Sequence, residues 1–397
     1  MAASYSLSDS SVQNLFKHKY DQISMDMYNG EYETLGRIRK SYNFTGDQKE
    51  KAIPLGFQGG AGAGTLPAAN RGNYAKAILT TKSVYAVCEV DRKTIKQSKD
   101  AGAFVEALKE NVKRTVQKFN WNASRILHND GTGALGTINT SGVTDNGSGS
   151  YTVVISTATW KLANWEVRDF INVSTGTDKF EITAIAPSTR AITMQRLEGA
   201  TVPVDEDVLY LQGSRNNDPE GLKGVCDATS STKYSLAIQY RWQSTQIAAA
   251  GAGINVDLMN QAMLEQQAYT GQVPSMISTS FVQMRKLLNS IEDQKRYFQS
   301  GELKSRYGNF SWPGVQFMSA KGPIPIIAER FVEDDRMYFL NDEHIEAEHA
   351  PDFGWCDDEG FVFLRKAGSD QYEARYAAYM NNYIVPTMQA VITGLGT

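Results

Sequence analysis

The feature that most constrains the fold is one long amphipathic stretch, residues 100–128, DAGAFVEALKENVKRTVQKFNWNASRILH. Its apolar residues recur at three- and four-residue spacing, which is typical of one face of a helix. These residues are Phe104, Val105, Leu108, Val112, Val116, Phe119, Ala123, Ile126 and Leu127. Asp100 is the predicted N-cap, and Asn129-Asp130-Gly131 ends the helix. At about 1.5 Å per residue such a helix is roughly 40 Å long, so we expect a spine on which other elements pack.

The composition is typical of a folded protein with a sizeable core. The chain has 397 residues, of which 41% are hydrophobic and 21% charged, enough for about two or three domains. It has no apolar run long enough for a membrane helix, and its start, MAASYSLSDSS, has no apolar signal segment, so we expect neither a membrane span nor secretion. The cysteines, Cys88, Cys226 and Cys356, are far apart, which favours a reducing compartment over a disulfide framework or a zinc site.

The charge is mildly acidic overall and unevenly distributed. The net charge of −4 argues against a general nucleic-acid binder, which needs a basic surface to neutralise phosphates. Residues 1–120 carry 18 Lys and Arg against 12 Asp and Glu, whereas residues 330–397 carry 5 against 13. Either the two ends fold against each other within one subunit, or they meet head to tail between copies.

Residues 41–99 contain a glycine-rich stretch with no apolar periodicity of its own. Its glycines include Gly56, Gly59, Gly60, Gly62 and Gly64. Two predicted strands follow, Tyr74–Thr81 and Val84–Val90. Loops of this length are uncommon and usually functional, and ordering glycine-rich backbone costs much conformational entropy. We therefore expect a surface outside the loop to hold it.

Residues 137–213 are rich in Thr, Ser, Val and Ile and have no helical period. The predicted strands are Tyr151–Ser156, Glu166–Val173, Lys179–Ile185, Ala191–Leu197 and Val208–Leu211. Short strands separated by turn signals at roughly ten-residue spacing predict a small antiparallel sandwich or barrel, inserted as a separate module.

The remainder of the chain mixes helices and strands, which predicts an α+β fold. The predicted helices are Val256–Tyr269, Ser280–Ile291 and a last one at Tyr372–Tyr383. The predicted strands are Val315–Met318, Pro325–Ala328, Met337–Leu340 and Phe361–Leu364.

Two motifs are candidates for chemistry. Residues 131–136, GTGALG, match the dinucleotide pattern G-x-G-x-x-G, but that fingerprint needs a strand before it and a helix after it, and here the order is reversed. His344 and His349 lie among the carboxylates of Asp342–Glu359. Their spacing fits no complete metal-ligand set, so a solvated acidic turn is the favoured interpretation, with a carboxylate-dependent hydrolase as the alternative.

The order of parts resembles the major capsid proteins of tailed bacteriophages, whose shared fold is named for the phage Hong Kong 97. The resemblance depends on the spine helix ending in HNDGTGALGTI, on PEGLKGVCD, on KGPIPIIAERFVEDDRMYFLNDEHIE and on the closing YEARYAAYMNNYIVPTMQAVITGL. It implies an N-terminal arm at 1–40, an extended loop (the E-loop) at 41–99 and the spine helix of the P-domain at 100–136. A β-rich insertion at 137–213 departs from the minimal fold, and residues 214–397 would form the A-domain and the rest of the P-domain.

The resemblance also implies a function. The chain would be no enzyme and would use no cofactor, but would assemble with itself into hexamers and pentamers of an icosahedral shell around phage double-stranded DNA, without sequence-specific binding. Expected partners are a separate scaffolding protein, a portal and decoration proteins, and the expected location is the virion, after assembly in the host cytoplasm. The five glycines Gly56, Gly59, Gly60, Gly62 and Gly64 would contact an adjacent subunit. An encapsulin-like nanocompartment shell, with a protein cargo, is the nearest alternative.

Overall fold

The computed structural model describes most of the chain. The described residues are 32–56, 73–91, 101–226, 232–237, 242–292, 301–302, 313–314, 316–319, 322–351, 353–357, 362–365 and 368–396, with the backbone alone for 73, 91, 101–110, 291–292, 301–302 and 313–314. The predicted N-cap Asp100 and most of the predicted N-terminal arm lie outside them. Within the described part, no helix is long and apolar enough to cross a membrane.

The spine is confirmed. After a short helix α1 (Glu33–Arg37), helix α2 (Ala101–His128) runs the predicted length. Its buried side chains from residue 111 onward repeat at helical spacing; among them are Val112, Val116, Phe119, Ala123, Ile126 and Leu127. The Phe119 ring packs edge-on against Tyr376, with 4.9 Å between ring centroids. The stripe thus packs against the central sheet and forms core with it, because the removal of apolar surface from water lowers the free energy of the folded state.

The central sheet is built around one long strand. Its members are β1 (Arg39–Ser41), β4 (Lys82–Asp91), β20 (Ile345–His349), β21 (Gly354–Trp355), β22 (Leu364–Arg365) and β23 (Gln371–Ile384). Strand β23 pairs antiparallel with β4 on one side and with β20 on the other. The predicted helix at Tyr372–Tyr383 is therefore wrong: alanines and Met380 gave the segment helical propensity, but every second side chain from Ala374 to Ile384 is buried, the period of a strand.

A two-stranded hairpin lies beside this sheet. It consists of β2 (Gln48–Leu55) and β3 (Asn73–Thr80), paired antiparallel in register along their whole length. Strands β3 and β4 match the two strands predicted in this region, whereas β2 was not predicted.

Residues from Ala134 to Leu211 contain a closed barrel. Its strands are β5 (Ala134–Gly147), β6 (Ser150–Ile155), β7 (Phe170–Val173), β8 (Phe180–Ala186), β9 (Ala191–Arg196) and β10 (Val208–Leu211), in the order β10-β5-β6-β9-β8-β7. Fully buried side chains fill the interior of the barrel, including Val153, Ile171, Phe180, Ile192 and Leu209. A barrel has no edge strand to pair with other chains. Strand β5 was not predicted, and it begins inside the range assigned to the spine helix.

The second large sheet follows the barrel in the chain. Its strands are β13 (Thr245–Ala248), β14 (Met276–Thr279), β17 (Gln316–Ser319), β18 (Gly322–Ala328), β19 (Met337–Leu340) and β24 (Ala390–Thr393), in the order β13-β24-β19-β14-β18-β17. Helices α4 (Val256–Thr270) and α5 (Phe281–Glu292) cover one face, over Ile277, Phe339 and Ile392. The opposite face, with Met276 and Tyr338, joins the core of the spine helix. The sheet is thus buried on both sides.

Short elements complete the described chain: α3 (Leu222–Cys226), β11 (Thr232–Lys233), β12 (Leu236–Ala237), β15 (Gly301–Glu302) and β16 (Pro313–Gly314). The N-terminus of α4 is capped by Asn255, whose side-chain oxygen accepts from the Leu258 amide at 2.8 Å. The helix ends at Gly271, in the left-handed conformation (φ +74°) that glycine adopts without strain.

Candidate assembly surface

The β2–β3 hairpin has two different faces. On β2, exposed and half-buried residues alternate along the whole strand, as a half-covered strand requires. The inner face carries Lys49, Lys51 and Ile53, paired across the hairpin with Leu79, Ala77 and Ala75. Ala77 and Leu79 are fully buried, so this face packs against the body of the subunit.

Two lysines attach the hairpin to strand β20. Lys49 Nζ lies 2.6 Å from Glu348 Oε2, and Lys51 Nζ lies 2.7 Å from Glu348 Oε1. Lys51 also pairs with Glu346, whose other oxygen lies 3.3 Å from Arg39 Nη1. The two carboxylates lie on the same face of β20 because residues two apart in a strand point the same way.

Glu348 is the buried member of this cluster, with a side chain only 1% exposed. Burial acts to raise its pKa, but hydrogen bonds from Lys49 and Lys51 outweigh burial and lower the pKa to about 2. The carboxylate is therefore ionised at neutral pH and both of its oxygens are paired. An ion pair at such a site is costly to break, because the remaining charge stays away from water.

These contacts bear on the uneven charge distribution. Arg39, Lys49 and Lys51 from the basic N-terminal third pair with Glu346 and Glu348 from the acidic C-terminal segment, all within one subunit. For these residues, the first alternative is correct: the basic N-terminal part and the acidic C-terminal part of the chain fold against each other within one subunit.

The outer face of the hairpin is exposed and partly apolar. Tyr74, 60% exposed, lies opposite Pro54 in the register, and Gly56 at the end of β2 is also exposed. The other four predicted contact glycines, Gly59, Gly60, Gly62 and Gly64, lie outside the described residues. Four residues of the hairpin were not predicted as contact residues: Lys49, Lys51, Pro54 and Tyr74. The available signal was the Lys-x-Lys spacing of β2.

The barrel is fixed to the spine helix by side chains of α2. Lys118 Nζ lies 2.6 Å from Glu166 Oε2 and 2.8 Å from Asp169 Oδ2, and the Trp121 indole donates to the Ala163 carbonyl at 3.0 Å. Polar and aromatic contacts together set the position of the barrel on the body.

The histidines and carboxylates of Asp342–Glu359 do not form a solvated turn throughout, which corrects the favoured interpretation. Ile345–His349 is strand β20, and His349 is fully buried, stacked on Tyr42 with 5.3 Å between ring centroids. Burial and then the charge of Lys40 lower the pKa of His349 to about 4. Asp358 and Glu359 lie outside the described residues.

Three carboxylates of this segment take part in ion pairs or hydrogen bonds within the subunit. Glu346 and Glu348 are paired with lysines, and Asp342 Oδ1 accepts from the Ser275 hydroxyl at 2.6 Å. Among the residues that the structure describes, no group of three or more His, Cys, Asp or Glu side chains could hold a metal ion. The GTGALG motif follows α2 and its last three residues begin β5, the helix-before-strand order that a dinucleotide fingerprint does not have.

Similarity to known proteins exists at the level of structure. No protein-family model and no curated protein matches the chain. The capsid asymmetric unit of cyanophage A-1(L) superposes with a TM-score of 0.51 over 91% of both chains, at 11% sequence identity. The capsid of an empty GTA particle gives 0.44 over 91% of this chain and 89% of that one, at 9% identity. The SrpI encapsulin of Synechococcus elongatus PCC 7942 gives 0.44 over 82% and 78%, at 7% identity. The superposition on the cyanophage subunit confirms the predicted α+β phage-capsid fold.

Proposed function

We propose, on the premise of this shared capsid fold, that the chain is the major capsid protein of a tailed bacteriophage and forms the icosahedral shell of the head. The single observation that carries the proposal is the superposition on the cyanophage capsid subunit over 91% of both chains. The match includes nearly the whole chain and at least part of the barrel, since 91% coverage leaves fewer residues unmatched than the barrel contains. The protein's location would then be the virion, after assembly in the host cytoplasm.

The proposal gives the β2–β3 hairpin a role as the E-loop. Its base is fixed by the Lys49 and Lys51 ion pairs, so its far end, with Pro54, Gly56 and Tyr74, is held at a defined place. An exposed apolar tip on a fixed base suits a contact with a neighbouring subunit, since exposed apolar groups are the usual centre of such contacts. We extend this contact to Gly59, Gly60, Gly62 and Gly64.

The partners follow from the same role. The chain would assemble with itself into hexamers and pentamers, with a separate scaffolding protein, a portal at one vertex and decoration proteins on the outside. It would enclose double-stranded DNA without reading its sequence, and its net charge of −4 would limit adhesion of the shell to DNA. We propose no catalytic role, since the described carboxylates of the acidic segment serve ion pairs and hydrogen bonds.

Electron microscopy of the purified protein, with and without co-expressed scaffold, tests the proposal. We expect closed shells of uniform diameter built from five- and six-membered rings. A protein that remains monomeric under all conditions would contradict it. Shells that form without scaffold and retain a protein cargo would instead support the encapsulin alternative.

A further inference from the structure

A stripe of polar side chains is buried on the spine helix α2, beside its apolar stripe. Asn120, Ser124 and His128 follow one another at four-residue spacing, so they share one face of the helix. Asn120 and Ser124 are 0% exposed and His128 is 2% exposed. Buried polar groups in folded proteins are hydrogen-bonded, because a group that leaves water without a new partner costs free energy. Each group of this stripe therefore needs a partner.

Helix α1 and the segment after β18 lie beside this stripe. The Phe331 ring packs edge-on against Trp121 of α2, with 5.7 Å between ring centroids. Glu329 Oε1 accepts a hydrogen bond from the Thr34 amide of α1 at 2.9 Å. The same carboxylate lies close enough to His128 for its charge to act on the pKa of the ring. Thr34 of α1 and the end of the polar stripe thus meet at Glu329.

Five side-chain atoms here have no hydrogen-bond partner within the described part of the chain. They are Asn120 Oδ1 and Nδ2, Ser124 Oγ, His128 Nε2 and Thr34 Oγ1. The other ring nitrogen, His128 Nδ1, lies 2.9 Å from the Ser124 carbonyl oxygen, which can only accept, so Nδ1 carries the proton. Burial lowers the pKa of His128 below 6.5, so the ring is neutral at pH 7 and Nε2 must accept a hydrogen bond.

The mixture of donors and acceptors decides which ligand fits these atoms. In either orientation the Asn120 amide presents one group that only donates and one that only accepts, and His128 Nε2 only accepts. A cation would leave the donor unpaired, and an anion would leave the acceptors unpaired. A small molecule that both donates and accepts suits all of them. A buried water molecule makes about three hydrogen bonds, so about two water molecules would pair the five atoms.

We propose that α1, α2 and the segment after β18 enclose a site for ordered water, bound by Thr34, Asn120, Ser124 and His128. The water would join α1 to the spine helix through hydrogen bonds, next to the direct bond between the Thr34 amide and Glu329. The site lies within one subunit. It would therefore be present before assembly as well as in a shell.

Magnetic relaxation dispersion of ¹⁷O water tests the proposal in solution, because its amplitude is proportional to the number of long-lived internal water molecules. We expect Asn120→Leu, which keeps a branched side chain but removes a donor and an acceptor, to lower the amplitude by about one to two water molecules. Thr115→Val is the matched control on the same helix. Thr115 is buried and its hydroxyl already donates to the Asn111 carbonyl at 2.8 Å, so the amplitude should not change. Circular dichroism verifies that both variants fold.

A wild-type structure at a resolution that shows ordered water provides a test that needs no variant. We expect density for water at about 2.7–3.2 Å from the Asn120 amide and from His128 Nε2. The proposal is overturned if water is visible at other buried positions but not here, or if an ion or a side chain fills the site. An unchanged dispersion amplitude in folded Asn120→Leu would overturn it as well. None of these outcomes depends on shell formation, so the proposed function would stand.

Discussion

Lys51 of the hairpin and Glu348 of the central sheet form an ion pair of 2.7 Å between Nζ and Oε1, with the carboxylate almost fully buried. With Lys49 on its other oxygen, Glu348 is the point at which the base of the hairpin is joined to the body. This carboxylate is thus one of the groups that hold the proposed E-loop in position, beside the Lys51–Glu346 pair and the buried Ala77 and Leu79.

Replacing that carboxylate should weaken the subunit. We expect Glu348→Gln to lower the free energy of unfolding by about 3 kcal/mol, since it leaves two lysines with a single remaining carboxylate in a partly buried site. Urea denaturation measures the change. Glu50→Gln, on strand β2 of the hairpin, is the matched control: its pair with Lys76 is exposed, so the cost should stay below about 0.5 kcal/mol. Equal effects of the two substitutions would contradict the assigned role of Glu348.

The buried His349 should make the subunit sensitive to mild acid. Its folded-state pKa of about 4 lies below the ordinary value of 6.5, so the unfolded chain binds the proton more readily. Stability should therefore fall as the pH drops from 6.5 to about 4, by up to about 3 kcal/mol from this residue. Denaturation at several pH values should give a shallower slope for His349→Gln over this window, whereas above pH 7 the two curves should run parallel. Parallel curves at all pH values would contradict the prediction.

The buried stripe of α2 should not tolerate a charge. We expect Val112→Asp to cost about 4 kcal/mol or more and to abolish soluble expression, because an unpaired carboxylate would be placed in the core. Lys113→Asp, at the next and exposed position, is the control and should remain soluble with near wild-type circular dichroism. A soluble, stable Val112→Asp protein would show that the stripe is not core.

The barrel should fold alone. A fragment of residues 134–213 contains all six strands, so we expect a dispersed amide spectrum and a cooperative melt. A fragment beginning at residue 148 lacks β5, which pairs with both β6 and β10, and should remain unfolded. If the longer fragment also gives a random-coil spectrum, the barrel depends on the rest of the subunit.

The glycine-rich part of the E-loop should matter for assembly and not for folding. Deleting Gly59–Gly64 removes a segment that we propose to contact an adjacent subunit, so the monomer should melt like the wild type but form no closed particles in electron micrographs. Normal shells from the deletion variant would place the contact elsewhere.

The elements that could be predicted from the sequence are those whose own apolar residues recur with a simple period. Helix α2 was found because its stripe follows the helical repeat, and the strands β6, β8, β9 and β10 because turn residues separate short apolar runs. Strand β23 is the exception, because its alanines and Met380 favour a helix and because Ala377 and Asn381 on its second face are also buried, which obscures the alternation of a strand.

The candidate site was harder to predict from the sequence, because it is formed by ion pairs and not by a periodic apolar pattern. Strand β2 carries Lys49 and Lys51 where a core-facing strand normally carries apolar residues, so no apolar alternation marked it. Their partner Glu348 is 299 positions after Lys49 in the chain and lies in a stretch whose many charges predict a solvated turn. Only the folded chain brings the lysines and the carboxylate together.

The way the barrel joins the body has a consequence for engineering. Ala134 at the start of β5 faces Tyr210 near the end of β10 in the strand register, and Gly133 passes so near Ser214 that a Cβ there would lie 2.2 Å from its carbonyl oxygen. The chain thus leaves the body and returns to it at neighbouring points. A short peptide linker would span that gap. We therefore expect that the barrel can be exchanged, and that a foreign domain with adjacent termini can be displayed in its place.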